Sequence, residues 1–251
     1  MTATIENVVG TPSQGQSQGQ QDDKTIVKDY FNSKGFDRWR RIYGETDDVN
    51  KVQLNIRKGH QKTVDTVVSW LKEDGNLASL TICDAGCGVG SLSIPLAKEG
   101  AVVYASDISE KMVGEAKERS QTELGQSTNP VFEAKDLEGL TGTYHTVVCL
   151  DVLIHYPQEK ADEMITHLGS LASDRIFLSF APKTCRYALL KKIGDFFPGP
   201  SKATRAYLHR ESDVVKILEA NGWTIKRRTL NKAPFYFSQL LEATKPEATQ
   251  A

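Results

Sequence analysis

Apolar and polar positions along the chain fall into three regimes: a polar lead, an aromatic and basic stretch, and a long series of short apolar runs punctuated by glycine. Residues 1–23 carry glutamines at 14, 16, 18, 20 and 21 among Ser, Gly and Pro. With nothing to bury, they predict a disordered tail. Lys24 to about Gly44 interleaves Tyr30, Phe31, Phe36, Trp39 and Tyr43 with Lys28, Lys34, Arg38, Arg40 and Arg41. That mixture predicts short amphipathic helices, an N-terminal arm over 24–48. A long helix follows from Val49 to about Lys72, capped by Asp47 or Asp48, with Val52, Ile56, Val64, Val67, Val68 and Leu71 mostly at helical spacing.

After Gly75 the pattern changes to strand, glycine turn, helix, strand, helix: LTICDAGCGVG, SLSIPLAKEG, AVVYASD, ISEKMVGEAKERS. Short β runs alternating with helices imply parallel βαβ units. Further strands are predicted near Val131 to Ala134, at Thr143 to Leu150 and at Arg175 to Phe180, with a helix over Gln158 to Leu171 whose Ala161, Met164, Leu168 and Leu171 share a face. Residues 181–210 break this rhythm with Pro182, Pro198 and Pro200 and seven basic residues against the single acid Asp195, so they read as an inserted arm. A helix over Ser212 to Ala220, a strand at Trp223 to Thr229 and the aromatic strand PFYFSQLLEA close the domain, the last suited to antiparallel pairing at the end of the sheet. The domain is expected over 49–242, with 243–251 a C-terminal tail.

Charge narrows the function classes. In 251 residues, 31 Lys and Arg oppose 32 Asp and Glu. A near-neutral balance excludes a global nucleic-acid binder. No apolar run approaches the ~18 residues of a membrane span, and the N-terminus has no apolar signal core or arginine-rich transit pattern. A prokaryotic cytoplasm is the expected compartment, which the resemblance given below narrows to a cyanobacterial type. The four cysteines, Cys83, Cys87, Cys149 and Cys185, have neither disulfide-scaffold nor zinc spacing, and the five histidines form no ligand cluster, so no metal site is expected.

The chemistry starts at Asp84-Ala85-Gly86-Cys87-Gly88-Val89-Gly90, directly after a strand and before a helix, with Asp107 at the end of the next strand. Glycines permit a tight turn and close ligand approach, and a strand-end acid can accept hydrogen bonds from both ribose hydroxyls. A nicotinamide site wants G-x-G-x-x-G; this loop is G-x-G-x-G, with Ser91 at the third glycine's position. The acid at Asp84 suits a cationic amino-acid group better than a pyrophosphate. S-adenosylmethionine carries an ammonium and a sulfonium, and it is the expected cofactor.

On these residues the sequence resembles the class I S-adenosylmethionine-dependent methyltransferases over roughly Leu54 to Glu242. The resemblance implies a Rossmann-like α/β fold with a seven-stranded, mostly parallel sheet and an antiparallel terminal strand. It also implies that Asp84, Gly86, Gly88 and Gly90 wrap the methionine part, that Asp107 binds ribose, and that Ile108, Asp136 and Leu137 lie at the adenine. The segments DYFNSKGFDRWRRIYG, LNIRKGHQKTVDTV, LDVLIHYP and PKTCRYALLKKIGDFFPGPSKATRAYLHRE are similar to the magnesium-protoporphyrin IX O-methyltransferases of the chlorophyll pathway, from about residue 25 to 240.

That closer resemblance implies methyl transfer to a porphyrin propionate, giving a monomethyl ester and S-adenosylhomocysteine. His155, after the fourth strand, would hold the propionate as donor or partner cation, with capping as its plain alternative. Tyr43 would donate its hydroxyl or shield the site, with packing as its alternative. Tyr30, Phe31 and Trp39 would cover cofactor or macrocycle, unless they serve helix packing. Lys183, Arg186, Tyr187 and Arg205 of the inserted arm would meet the porphyrin, an amphipathic membrane-facing helix being the other reading. The magnesium belongs to the substrate. Contact with the porphyrin-binding subunit of magnesium chelatase, and peripheral contact with the thylakoid membrane, are further implications. A methyltransferase for another small acceptor such as a quinone precursor, and a nonenzymatic porphyrin carrier, stand as alternative functions.

Overall fold

A computed structural model describes residues 18–44, 49–78, 80–125, 128–183 and 207–246, with side chains from residue 24 onward. Helix α1 (Gln18–Phe31) and α2 (Lys34–Tyr43) form the arm, and α3 (Lys51–Glu73) is the long helix. The expected tail 1–23 is therefore too long, since α1 starts inside it. Glutamine is a competent helix former, and a polar run can extend a helix whose anchored part lies further on. The cap of α3 is Asn50, in a reciprocal box with Gln53. Asp47 and Asp48 lie outside the described residues. Val52, expected in the apolar stripe, is 39% exposed on the first turn, while Val64, Val67 and Leu71 carry the contact with the core.

The rest alternates as β1 (Thr81–Ala85), α4 (Ser93–Lys98), β2 (Val102–Asp107), α5 (Glu110–Leu124), β3 (Val131–Ala134), β4 (Tyr144–Cys149), α6 (Gln158–Leu171), β5 (Ala172–Phe180), α7 (Glu211–Ala220), β6 (Thr224–Ala233) and β7 (Tyr236–Thr244). Short 3-10 turns occupy Leu137–Gly139 and Leu153–His155. One seven-stranded sheet results, in the order β3-β2-β1-β4-β5-β7-β6. All neighbours are parallel except those of β7, which runs antiparallel to both β5 and β6.

The antiparallel strand is thus last in the chain but interior in the sheet, a correction to its expected place at the end. Burial explains the order: β7 is buried along nearly its whole length, as a central strand must be, whereas the lysine- and arginine-bearing β6 alternates and suits an edge. β7 also continues to Thr244, into the expected C-terminal tail. Two apolar layers cover the sheet. One packs α3, α4 and α5 on Ile82, Val103 and Phe177, and the other packs α6 and α7 on Val147, Ile176 and Leu178. The carboxyl ends of β1, β2 and β4 consequently converge where the strand order reverses, the place at which open α/β sheets bind ligands.

Candidate active site

Three acids end three neighbouring strands: Asp84 on β1, Asp107 on β2 and Asp151 just after β4. Between the first two runs the glycine loop, with Gly86 and Cys87 N–H groups both donating to Ser106 O at 2.8 Å. Gly86 (φ 85°) and Gly88 (φ 53°) are left-handed, a conformation that costs other residues about 1–2 kcal/mol. A side chain at Gly86 would overlap Val152, whereas one at Gly88 would meet nothing within 4 Å. The loop therefore presents bare backbone to open space at Gly88, whose N–H donates to Asp107 Oδ2 at 3.0 Å; Ser109 N–H takes Oδ1 at 2.9 Å.

Burial raises the Asp107 carboxyl to about 6 against the pull of those two N–H donors. Asp84, 3% exposed, is likewise raised to about 6 by burial, with the Asp107 charge adding and the Ser93 hydroxyl, which donates to it, opposing. Among the described residues Asp84 has no ion-pair partner. A buried acid without an ion-pair partner among the described residues, two positions before a loop with an open cradle at Gly88, fits the ammonium end of S-adenosylmethionine.

Over this edge lies a cavity with about 780 Å³ of empty volume, counting space open to solvent. Its floor includes Gly86, Gly88, Asp107 and Ile108; Leu137, Asp151 and His155 form a side; Val27, Phe31, Trp39 and Tyr43 of the arm form the roof. The roof is tied to the core by Lys24 to Asp136 and Glu138, by Asn32 Oδ1 accepting from Ser109 Oγ at 2.8 Å, and by Arg57 donating to Ile42 O at 2.8 Å. Arg119 joins roof to loop, donating to Tyr43 O and Val89 O.

His155 meets the Phe31 ring edge-on at 5.3 Å, and its Nδ1 is buried without a partner. Burial lowers its pKa to about 4, although the Asp151 charge opposes this, so the ring is neutral at pH 7. Tyr43 stacks on Trp39, ring centroids 5.2 Å apart, and leans on His60 at 4.4 Å. Burial, with Asp151 and Asp107 nearby, pushes its hydroxyl well above the usual tyrosine value, so it remains a donor. Trp39 Nε1 is a second buried ring nitrogen without a partner.

Not every expected residue reaches this cavity: Asp84 is buried on β1 and does not line it. Gly90 supports the loop from behind, close to Phe132 and Ile94. Asp136 is turned aside, capping the Leu137–Gly139 turn through Gly139 N–H and pairing with Lys24, because the turn needs an acceptor and α1 supplies a cation. Tyr30 is 7% exposed, packed against Phe31 and Gly35 in the corner of the arm, off the cavity wall. Lys183 is exposed, its backbone N–H donating to His209 O at 2.7 Å. Arg186, Tyr187 and Arg205 lie outside the described residues. Tyr207 N–H donates to Ile154 O at 2.7 Å, so both ends of the inserted segment are tied beside the turn that carries His155.

Sequence reasoning missed Asp151 and His60. Asp151, left-handed at φ 58°, accepts from Ser179 Oγ (2.8 Å) and Ser238 Oγ (2.9 Å) on Oδ1, and from Tyr236 Oη (2.7 Å) and His60 Nδ1 (2.9 Å) on Oδ2. Burial alone would raise its carboxyl, but His60, Tyr236 and Ser179 outweigh it and hold the group below the ordinary carboxylate range. The signal was available: Asp151 follows its strand as Asp84 and Asp107 end theirs.

The C-terminal half matches the family described as magnesium-protoporphyrin IX methyltransferase C-terminus over residues 149–245, and residues 82–173 match the methyltransferase domain. The chain is 62% identical to magnesium-protoporphyrin O-methyltransferase of Synechocystis sp. over 224 residues, covering 89% of this chain and 97% of that protein. It is 62% identical over 221 residues to the chloroplastic magnesium protoporphyrin IX methyltransferase of Arabidopsis thaliana, covering 88% and 71%. The crystal structure of magnesium protoporphyrin IX methyltransferase (ChlM) from Synechocystis PCC 6803 with bound SAH superposes with a TM-score of 0.83 at 60% identity, covering 89% of this chain and 100% of that one. By sequence along nearly its whole folded length, and by fold, the chain belongs to the magnesium-protoporphyrin O-methyltransferase family.

Proposed function

We propose that the protein methylates a propionate carboxylate of magnesium protoporphyrin IX, with S-adenosylmethionine as methyl donor, yielding the monomethyl ester and S-adenosylhomocysteine. The observation that carries this reading is the cavity itself, in which the glycine loop and Asp107 face an aromatic roof and two unpartnered buried ring nitrogens, His155 Nδ1 and Trp39 Nε1. When bound, the cofactor supplies a methyl group activated by a positive sulfur. Asp84, Gly86 and Gly88 hold its amino-acid end, with Gly90 keeping the loop in shape. Asp107 takes the ribose hydroxyls, and Ile108 and Leu137 enclose the adenine. Asp136 acts at that end through the turn it caps and through Lys24.

A propionate is ionised near neutrality, so no general base is required. Charge disappears in the reaction, and a water-poor cavity favours that change. The protein's work is alignment, worth up to about 7–11 kcal/mol when the reacting groups are held well. His155, being neutral, holds a propionate oxygen as a donor rather than as a cation, and Tyr43 donates its hydroxyl from the roof. Trp39 and Phe31 cover the macrocycle side. Lys183, Arg186, Tyr187 and Arg205 are assigned to porphyrin contact by the family resemblance, and the ties of Lys183 and Tyr207 near His155 support this for the described residues.

Among the described residues no helix is long and apolar enough to cross a membrane. Peripheral contact with a thylakoid surface, and contact with the porphyrin-binding subunit of magnesium chelatase, belong to the same proposal and are supported by the family resemblance. The test is an acceptor panel: magnesium protoporphyrin should be methylated with a kcat/KM at least about 100-fold above that of a catechol quinone precursor. The reverse preference would overturn the reading.

A further inference from the structure

Deepening that reading, we propose that His60 is the positioning residue for Tyr43. In this arrangement the Asp151 carboxylate anchors the imidazole through Nδ1, and the imidazole ring seats the arm's tyrosine so that its hydroxyl reaches the acceptor.

Three observations carry the inference. An ionised carboxylate only accepts, so His60 Nδ1 is the donor in its 2.9 Å contact with Asp151, and both tautomer and ring plane are fixed. Asp151 is itself held from three directions, by Ser179 of β5 and by Tyr236 and Ser238 of β7 as well as by His60 of α3. Asn231 Nδ2 donates to Thr63 Oγ1, which lies 3.0 Å from Tyr236 Oη, so hydroxyl and amide hydrogens run in sequence toward Asp151. The neighbouring Gly59 makes room for this, since a Cβ there would overlap the Tyr236 ring.

The second observation is topological. Tyr43 ends α2 of the arm, while His60 belongs to α3 of the core. Their rings are 4.4 Å apart, and both line the cavity. The other ring against Tyr43, Trp39, lies on the same arm helix and moves with it. Arg119 holds the Tyr43 carbonyl, and His60 is the core-side ring on which the tyrosine side chain rests. Third, Asp151 holds a left-handed backbone at a non-glycine position, of the kind that persists where surrounding structure over-determines it.

The experiment is a double-mutant cycle with Tyr43→Phe and His60→Phe. Single-turnover methylation of magnesium protoporphyrin is read at saturating cofactor, beside calorimetric affinity for S-adenosylhomocysteine. The His60→Phe ring can occupy the seat but gives Asp151 no N–H to hold. It should slow methyl transfer by about tenfold or more while cofactor-product affinity stays within about threefold. In the Tyr43→Phe background the same change should add less than about twofold, since the tyrosine hydroxyl it positions is gone.

A full, additive His60 effect in that background overturns the inference, as does an unimpaired His60→Phe enzyme or a parallel loss of S-adenosylhomocysteine affinity. Normal turnover in Tyr43→Phe alone has a different signature and removes Tyr43 from the acceptor site, and the inference falls with it. His60→Asn, which keeps an N–H for Asp151 while deleting the ring face, carries the same expectations should His60→Phe not fold.

Discussion

Asp107 on the cavity wall and Asp84, buried on the adjoining strand, are both raised to about 6, which on the proposed site makes cofactor binding a proton-linked event. In the proposed roles Asp84 meets an ammonium and Asp107 accepts ribose hydrogen bonds as carboxylates, so ligand binding favours their deprotonated forms. The sign follows: affinity is full above pH 6 and is lost as pH falls through it. Each group is about one-eleventh ionised at pH 5 and ten-elevenths at pH 7, about a tenfold change per acid and about 100-fold for the two, or about 2.7 kcal/mol. The Asp107 charge is one cause of the Asp84 shift, so the protons leave in two macroscopic steps around that value. Calorimetry with S-adenosylhomocysteine from pH 5 to 8 reads this directly, and proton release at pH 6 appears as a dependence of the binding enthalpy on buffer ionisation heat. Asp84→Asn should remove about half of the logarithmic slope.

Acid unfolding does not mimic the effect through these groups. Raised above the ordinary carboxyl range, each contributes stability that is present below its unfolded pKa and is lost as pH rises through about 6. An affinity that stays flat from pH 7 to 5 in folded protein would refute the assignment of both acids to the cofactor.

Asp107→Ala should weaken S-adenosylhomocysteine binding by about 2–4 kcal/mol, roughly 30- to 700-fold, because charge-assisted hydrogen bonds are strong and incompletely additive; calorimetry checks it. His155→Ala should lower the single-turnover methylation rate by about 10- to 100-fold while product affinity stays within about threefold, since alignment acts in the transition state. Gly86→Ala, strained at φ 85° and overlapping Val152, should cost at least about 2 kcal/mol in urea unfolding. Deleting residues 1–17 should leave melting temperature unchanged, whereas deleting 1–32 removes Val27 and Phe31 from the cavity roof and should weaken product binding by about 1–2 kcal/mol.

The parallel core and the cofactor edge were legible because both are written locally. The strand before Asp84, the glycines after it and the acid at Asp107 lie within one βαβ unit, and the Gln158–Leu171 helix carries its own periodicity. The reversal of β6 and β7 was not legible, since sheet order is set by which strand can be buried on both faces, a comparison between distant segments. Tyr30 and Phe31 show a similar limit: both are arm aromatics, and only the packing of α1 against α2 sends one into the corner and the other over the cavity. The place of Asp151 after β4 was legible, but its role as a meeting point was not, because its donors come from α3, β5 and β7, separated from it by up to 91 residues.

The central claim is tested most directly by incubating the protein with methyl-tritiated S-adenosylmethionine and magnesium protoporphyrin IX, then separating the porphyrins. The account predicts label in a porphyrin monomethyl ester, released as methanol on alkaline hydrolysis, in step with an equal amount of S-adenosylhomocysteine. Bound cofactor and bound porphyrin with no label transferred would contradict it, and would make the cavity a binding site rather than a reaction site.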